Sequence, residues 1–226
     1  MFIHAYLLAT VAAGATALVA TPVLAEIVIT QQKAIAGNIT PGDQPGFPIT
    51  LSSSGSYSFG GNIVVSAGKN GIEITAADVT IDLNGFFLAG GGFGAAKSGI
   101  IGSKRAATIL NGTIIGFGED GINSDAPFWI IRDMRVINSM GFVAVGCGLS
   151  CHIEGSIVAA NGAQGVDIDG GAVIGNVIAN NGGQGVASGG AGLANNALIL
   201  NDGNLAGNAA SMHPNVCIST VAIGPC

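Results

Sequence analysis

Asn70-Gly71-Ile72-Glu73-Ile74-Thr75, followed by Val79-Thr80-Ile81-Asp82-Leu83-Asn84-Gly85, decides the reading of this chain. Ile72, Ile74, Val79, Ile81 and Leu83 alternate with Glu73, Thr75, Thr80 and Asp82, the period of a strand with one face buried and one in water. Between the two runs, Ala76-Ala77-Asp78 makes a bend, and Asn84-Gly85 makes another before Phe86-Phe87-Leu88. Three short strands joined by tight bends describe one triangular coil.

The opening phrase returns along the chain. Ser98-Gly99-Ile100-Ile101, Asp120-Gly121-Ile122-Asn123, Met140-Gly141-Phe142-Val143, Gln164-Gly165-Val166-Asp167 and Gln184-Gly185-Val186-Ala187 repeat it. The glycines 71, 99, 121, 141, 165 and 185 stand 28, 22, 20, 24 and 20 residues apart. A period near 20 with local insertions marks a solenoid whose repeats stack on their neighbours. Asn-Gly bends recur at 84, 111, 161 and 181, with Asp202-Gly203 after them. Asparagines at equivalent bends are placed to bond from coil to coil. The expected fold is an all-β, single-stranded parallel β-helix of about 7–8 coils, each of roughly 20–24 residues. Its span is roughly 35–40 Å at ~4.8 Å per coil.

Organisation follows from the same pattern. Residues 1–25 hold an apolar run at 6–20, Pro22 and a small-residue exit at Val23-Leu24-Ala25, the form of a secretory signal peptide cleaved after Ala25. The run is too short and too broken for a spanning helix, which needs roughly 20 apolar residues. Residues 26–69 read as an N-terminal cap and first coil or coils. Residues 70–204 carry the repeats, and 205–226 form a C-terminal cap over the last coil. No helical periodicity persists past residue 26, and 26–36 reads as a cap or first strand.

Charged residues make up 9% of the chain against 49% hydrophobic, with 38 glycines, a balance that suits stacked strands better than exposed helices. The net charge of −6 and the lack of any basic cluster beyond Lys104-Arg105 exclude a nucleic-acid partner. A monomer is expected, secreted or periplasmic, with no membrane contact once the leader is removed. In that setting Cys147, Cys151, Cys217 and Cys226 read as disulfides. Pairing Cys147 with Cys151 and Cys217 with Cys226 is the simplest of three connectivities. A zinc site at Cys147, Cys151 and His152 would need a fourth ligand, and no second Cys/His pair lies in that repeat. No metal or cofactor is expected.

Taken together, the Gly-apolar-x-apolar phrase, Val79-Thr80-Ile81-Asp82-Leu83-Asn84-Gly85 and Ala179-Asn180-Asn181-Gly182-Gly183-Gln184-Gly185-Val186 resemble right-handed parallel β-helix repeat proteins of the pectate-lyase-like superfamily. The resemblance covers roughly residues 47–210. The opening Gly46-Phe47-Pro48-Ile49-Thr50-Leu51 and the Cys-containing tail also resemble exported bacterial members of it. It implies the fold and its hand. Function is left open, because the superfamily holds lyases, hydrolases, epimerases and adhesins.

Lyases of that superfamily would need an arginine base, usually beside clustered calcium-binding aspartates. Here Arg132 and Arg135 flank a single Asp133, an ordinary surface pairing, and Arg105 stands apart. Hydrolases would need convergent carboxylates, about 6.5–9.5 Å apart for inversion. Aligning strands on the marker glycines stacks Glu73, Ile101, Asn123, Val143, Asp167 and Ala187 in one outward row. The next row is Thr75, Ser103, Asp125, Val145, Asp169 and Gly189. Asp167, Asp169 and Asp125 are thus the candidate catalytic residues, and Glu73, Asn123 and Asp167 the candidate ligand-binding ones. Val143 and Val145 are expected to separate the two acidic pairs. The reading is therefore a non-catalytic structural or glycan-binding module. The alternatives are a polysaccharide lyase or hydrolase on this strand face, and a subunit of a surface fibre.

Overall fold

The alternating residues of the first repeat do what their pattern requires: Ile72, Ile74, Val79, Ile81 and Leu83 are buried, and Thr75 is exposed. The computed structural model describes residues 26–91, 97–219 and 223–225. The proposed leader, 1–25, and Cys226 lie outside the described residues.

Successive coils pair in parallel, and a typical coil holds Gln164–Ile168, Gly171–Ile174 and Val177–Ala179. First strands of the coils make an eight-stranded sheet running from Ile49–Leu51 to Gly203–Gly207, one strand per coil. Second and third strands make the other two faces. These count as one sixteen-stranded sheet because Thr108–Ile115 and Ile130–Ile137 run through the corner between them. Asn111 and Asp133 bend those two long strands with φ of 58° and 55°. The result is a parallel β-solenoid of about eight turns.

The chain departs from the sequence reading at its start. Ile27–Ile29 pairs with Gly55–Phe59 as a strand, but Gln31–Ala36 is a helix, so the protein is nearly rather than wholly all-β. Thr30 caps it by accepting the Lys33 N–H at 3.3 Å, and Gly37 ends it at φ 72°. Six residues are under two turns, too few for a 3.6-residue period to emerge from composition. Among the described residues no helix is long and apolar enough to cross a membrane.

Corners differ between the halves. Asn84 and Asn111 adopt left-handed φ, as expected for Asn-Gly bends. Farther on, that conformation moves one residue earlier, to Ala160, Asn180 and Leu200, and Asp202 is not left-handed. Asn161, Asn181 and Asn201 turn inward instead and form a ladder. The Oδ1 of each takes the backbone N–H one coil back, from Ser139, Asn161 and Asn181. Asn161 and Asn181 each donate Nδ2 to the next asparagine at 2.9 Å. A second ladder, Asn176, Asn196 and Asn215, repeats this chemistry at another corner, with amide contacts of 3.0 and 2.9 Å. Both ladders are buried or nearly so, so their amides satisfy backbone groups that water does not reach.

The core inside the coils is a stack of Ile, Val and Leu, with Trp129 fully buried among them. The cap closes the far end: Val216–Ile218 stacks on Ala197–Ile199 and pairs antiparallel with Ile223–Pro225. This covers one open strand edge. Cys217 is disulfide-bonded, while its expected partner, Cys226, falls outside the described residues.

Candidate functional site

On the eight-stranded sheet, the outward row reads Thr50, Glu73, Ile101, Asn123, Gly146, Asp167, Ala187 and Ala206. Gly146 stands where the sequence reading put Val143. Val145, also expected outward, is fully buried in the core. Extra residues at the corner preceding Val143–Cys147 cause the shift. Ala144, not Gly141, comes to lie over Gly121, where an added Cβ would sit 2.6 Å from the Ala144 carbonyl oxygen. Gly141 belongs to the inserted corner, and its phrase imitates the repeat.

This register opens the face rather than blocking it. Gly146 lies between Asn123 and Asp167, and Gly148 beyond it lies between Asp125 and Asp169. Gly146 forms the floor, and two polar side chains stand on each side of it. The resulting groove, of about 230 Å³, is lined by Asn123, Asp125, Gly146, Gln164, Asp167 and Asp169, with Phe142 at its lip. Opposite walls are two strand spacings apart, roughly 9.6 Å. Glu73 belongs to a neighbouring depression of about 340 Å³, shared with Thr75, Ser103, Asn123 and Asp125. Its carboxylate accepts the Asn70 amide at 2.9 Å.

Asn123 and Gln164 have identifiable supports. Asn123 donates Nδ2 to buried Asp120 at 2.6 Å, and the other Asp120 oxygen accepts the Val143 N–H at 3.0 Å. Asp120 therefore ties one coil to the next and fixes which way the Asn123 amide faces. Gln164 continues to Gln184 at 3.3 Å along the solenoid axis. The Cys147–Cys151 disulfide, with Cα atoms 6.2 Å apart, closes the turn at the end of the glycine floor. Phe142 is 90% exposed, because the inserted corner carries it clear of the coil.

Sequence reasoning placed Asn123, Asp125, Asp167 and Asp169 on this face and missed Asp120 and Phe142. Asp120 carried a signal, since it precedes marker Gly121. Phe142 was hidden by its place in the false phrase. Arg132 pairs with Asp133 at 3.3 Å and His152 lies 3.2 Å from Glu154, all four on the other sheet and away from the groove. Among the described residues no three His, Cys, Asp or Glu side chains gather closely enough to hold a metal ion.

Partial burial against the groove, and then the neighbouring charge of Asp169, raises the Asp167 carboxyl above its ordinary value of 3.8. The native state then holds this proton more tightly than the unfolded chain. Stability is lost as pH rises from 3.8 through the raised value, and the loss persists above it. Asp167→Asn removes that loss. Its melting temperature relative to wild type is expected to be higher at pH 7 than at pH 3, as calorimetry at the two pH values would read. An offset that is the same at both would overturn the assignment.

No known protein family, curated protein or solved structure matches the chain.

Proposed function

We propose that the chain is an exported glycan-recognition module that holds a saccharide across the glycine floor between Asn123/Asp125 and Asp167/Asp169. The observation that supports this most is the pairing of a polar groove with Phe142, an almost fully exposed aromatic ring on its lip. A pyranose presents hydroxyls at its rim and C–H groups on its face. Carboxylates and amides bond the first, and an aromatic face packs against the second. The Cys147–Cys151 disulfide supports export, and the three-strand coil with its asparagine ladders supports a right-handed, pectate-lyase-like solenoid.

A second reading, hydrolysis, is favoured by one observation: partial burial and the neighbouring Asp169 raise the Asp167 carboxyl above its ordinary value while other acids line the same groove. Asp125 and Asp169 face each other across two strand spacings, roughly 9.6 Å between Cα atoms, close to the spacing that inversion uses between carboxyls, about 6.5–9.5 Å.

Incubation with neutral and acidic polysaccharides separates the readings, with co-sedimentation, reducing ends and unsaturated products read from the same tubes. Binding without new ends is expected. Gly146→Val fills the floor, where its Cβ would stand 2.7 Å from the Asn123 Oδ1. It should weaken binding about tenfold or more, equivalent to ~1.4 kcal/mol, while leaving the circular dichroism unchanged. Equal binding by wild type and Gly146→Val would sink the groove as the site, and new reducing ends would move Asp167 and Asp169 into catalytic roles.

A further inference from the structure

The third strands of the coils carry a surface unlike the other two faces. Their inward residues Val136, Val158, Ile178 and Leu198 are fully buried, so their neighbours on either side point out. One outward row runs Arg135, Ile157, Val177, Ala197 and Val216. The other runs Ile115, Ile137, Ala159, Ala179, Ile199 and Ile218. Of these eleven side chains only Arg135 is charged; Ala179 is itself only 8% exposed, and polar Thr113 continues the first row toward Phe87. Ile157, Val177 and Val216 are 37%, 39% and 47% exposed. The eight-stranded sheet, by contrast, shows Glu73, Asp125, Asp167 and Asp169 to solvent.

The face is also long and regular. From Phe87–Ala89 to Val216–Ile218 it crosses seven strands, roughly 34 Å, and it is two side chains wide. That gives on the order of 500 Å² in plan per copy, and about 1,000 Å² when two such faces meet, the lower bound for specific association. Its ridges recur at every strand, roughly 4.8 Å. Only a surface with the same repeat can seat its side chains between these rows along their whole length, and the face of another such solenoid has it. The net charge of −6, with no basic rim beyond Arg135, opposes attachment to anionic lipid.

We propose that this aliphatic face is a dimer interface on which a second copy of the same chain packs, row against row. The contact is isologous and closes on itself, so it yields pairs rather than filaments. Arg135 lies in the row beside the Asp133 corner, where its long stem covers apolar surface while its head reaches water. The acidic grooves remain on the outside of both copies. Two grooves on one particle would strengthen attachment to a repetitive polymer without any new contact.

Sedimentation velocity of the purified exported protein from about 1 to about 300 µM tests this. Reversible dimerisation with a Kd in the tens of micromolar is expected from an interface of this size. Val177→Lys and Ala197→Glu, both on outward positions, should each raise that Kd at least tenfold with unchanged circular dichroism. A strict monomer throughout, as the sequence alone suggested, would overturn the proposal. So would open-ended assemblies that persist in both variants, or a monomer that co-floats with phosphatidylcholine vesicles.

Discussion

Asn181→Ala is expected to lower the unfolding free energy by about 4 kcal/mol, in urea denaturation followed by circular dichroism. The side chain is only 2% exposed and serves four partners. Its Oδ1 accepts the backbone N–H and the side-chain amide of Asn161, at 3.2 and 2.9 Å. Its Nδ2 donates to the Val158 carbonyl at 3.1 Å and to Asn201 at 2.9 Å. Alanine takes one partner from all four at once; the Asn161 Nδ2 keeps the Val136 carbonyl and the Asn201 Oδ1 keeps the backbone N–H of residue 181, while a buried polar group left alone costs about 1–3 kcal/mol. Reorientation of Asn161 and Asn201 recovers part of the loss, which is why the figure falls below the full sum. Asn201→Ala, at the more open end of the ladder, should cost roughly half as much. A change under about 1 kcal/mol in Asn181→Ala would show that water replaces the amide, and that the ladder only decorates the corner.

Trp129→Ala should destabilise by a similar amount, about 4 kcal/mol. The ring is wholly buried, and its Nε1–H donates to the Lys104 carbonyl at 2.8 Å. It occupies the space above Gly102, where an added Cβ would lie 2.6 Å from the ring. The coil is therefore built around this side chain, and neighbouring backbone cannot close over the void. Loss of the carbonyl partner adds to the cavity. Since this is the sole tryptophan, the variant must be followed by circular dichroism rather than by fluorescence. A midpoint unchanged in urea would mean that the surrounding strands collapse into the space.

Much of the fold was legible because the relevant residues obey local rules. Val79–Asp82 alternates cleanly, and Asn84 and Asn111 announce left-handed bends through the glycine that follows each. Asn161 and Asn181 were noticed for the same dipeptide, although they use their amides rather than their φ. Asn176, Asn196 and Asn215 have no glycine after them, so nothing local distinguished a ladder residue from a surface asparagine. The site was legible as single residues, not as a groove. Asn123, Asp125, Asp167 and Asp169 could be placed outward from parity alone, but what stands between them depends on register across the inserted corner. There Met140-Gly141-Phe142-Val143 satisfies the repeat phrase while Ala144 occupies the repeat position. A shift of three residues exchanged two valines for two glycines and turned a presumed barrier into a floor.

The parallel stacking also fixes how the chain can reach its native state. Parallel partners stand between 18 residues apart, as Gly192 and Ala210 do, and 30, as Ile27 and Tyr57 do, so the pairing steps close loops of similar length. Loop-closure entropy rises only with the logarithm of loop length, so each added coil faces nearly the same barrier as the one before. Growth from an initial pair is then a zipper, advancing in either direction without waiting for a distant segment. The coils whose corners share buried amides gain most per step, which makes the region after residue 138 the natural nucleus. A chain synthesised amino end first presents its first half before that nucleus exists.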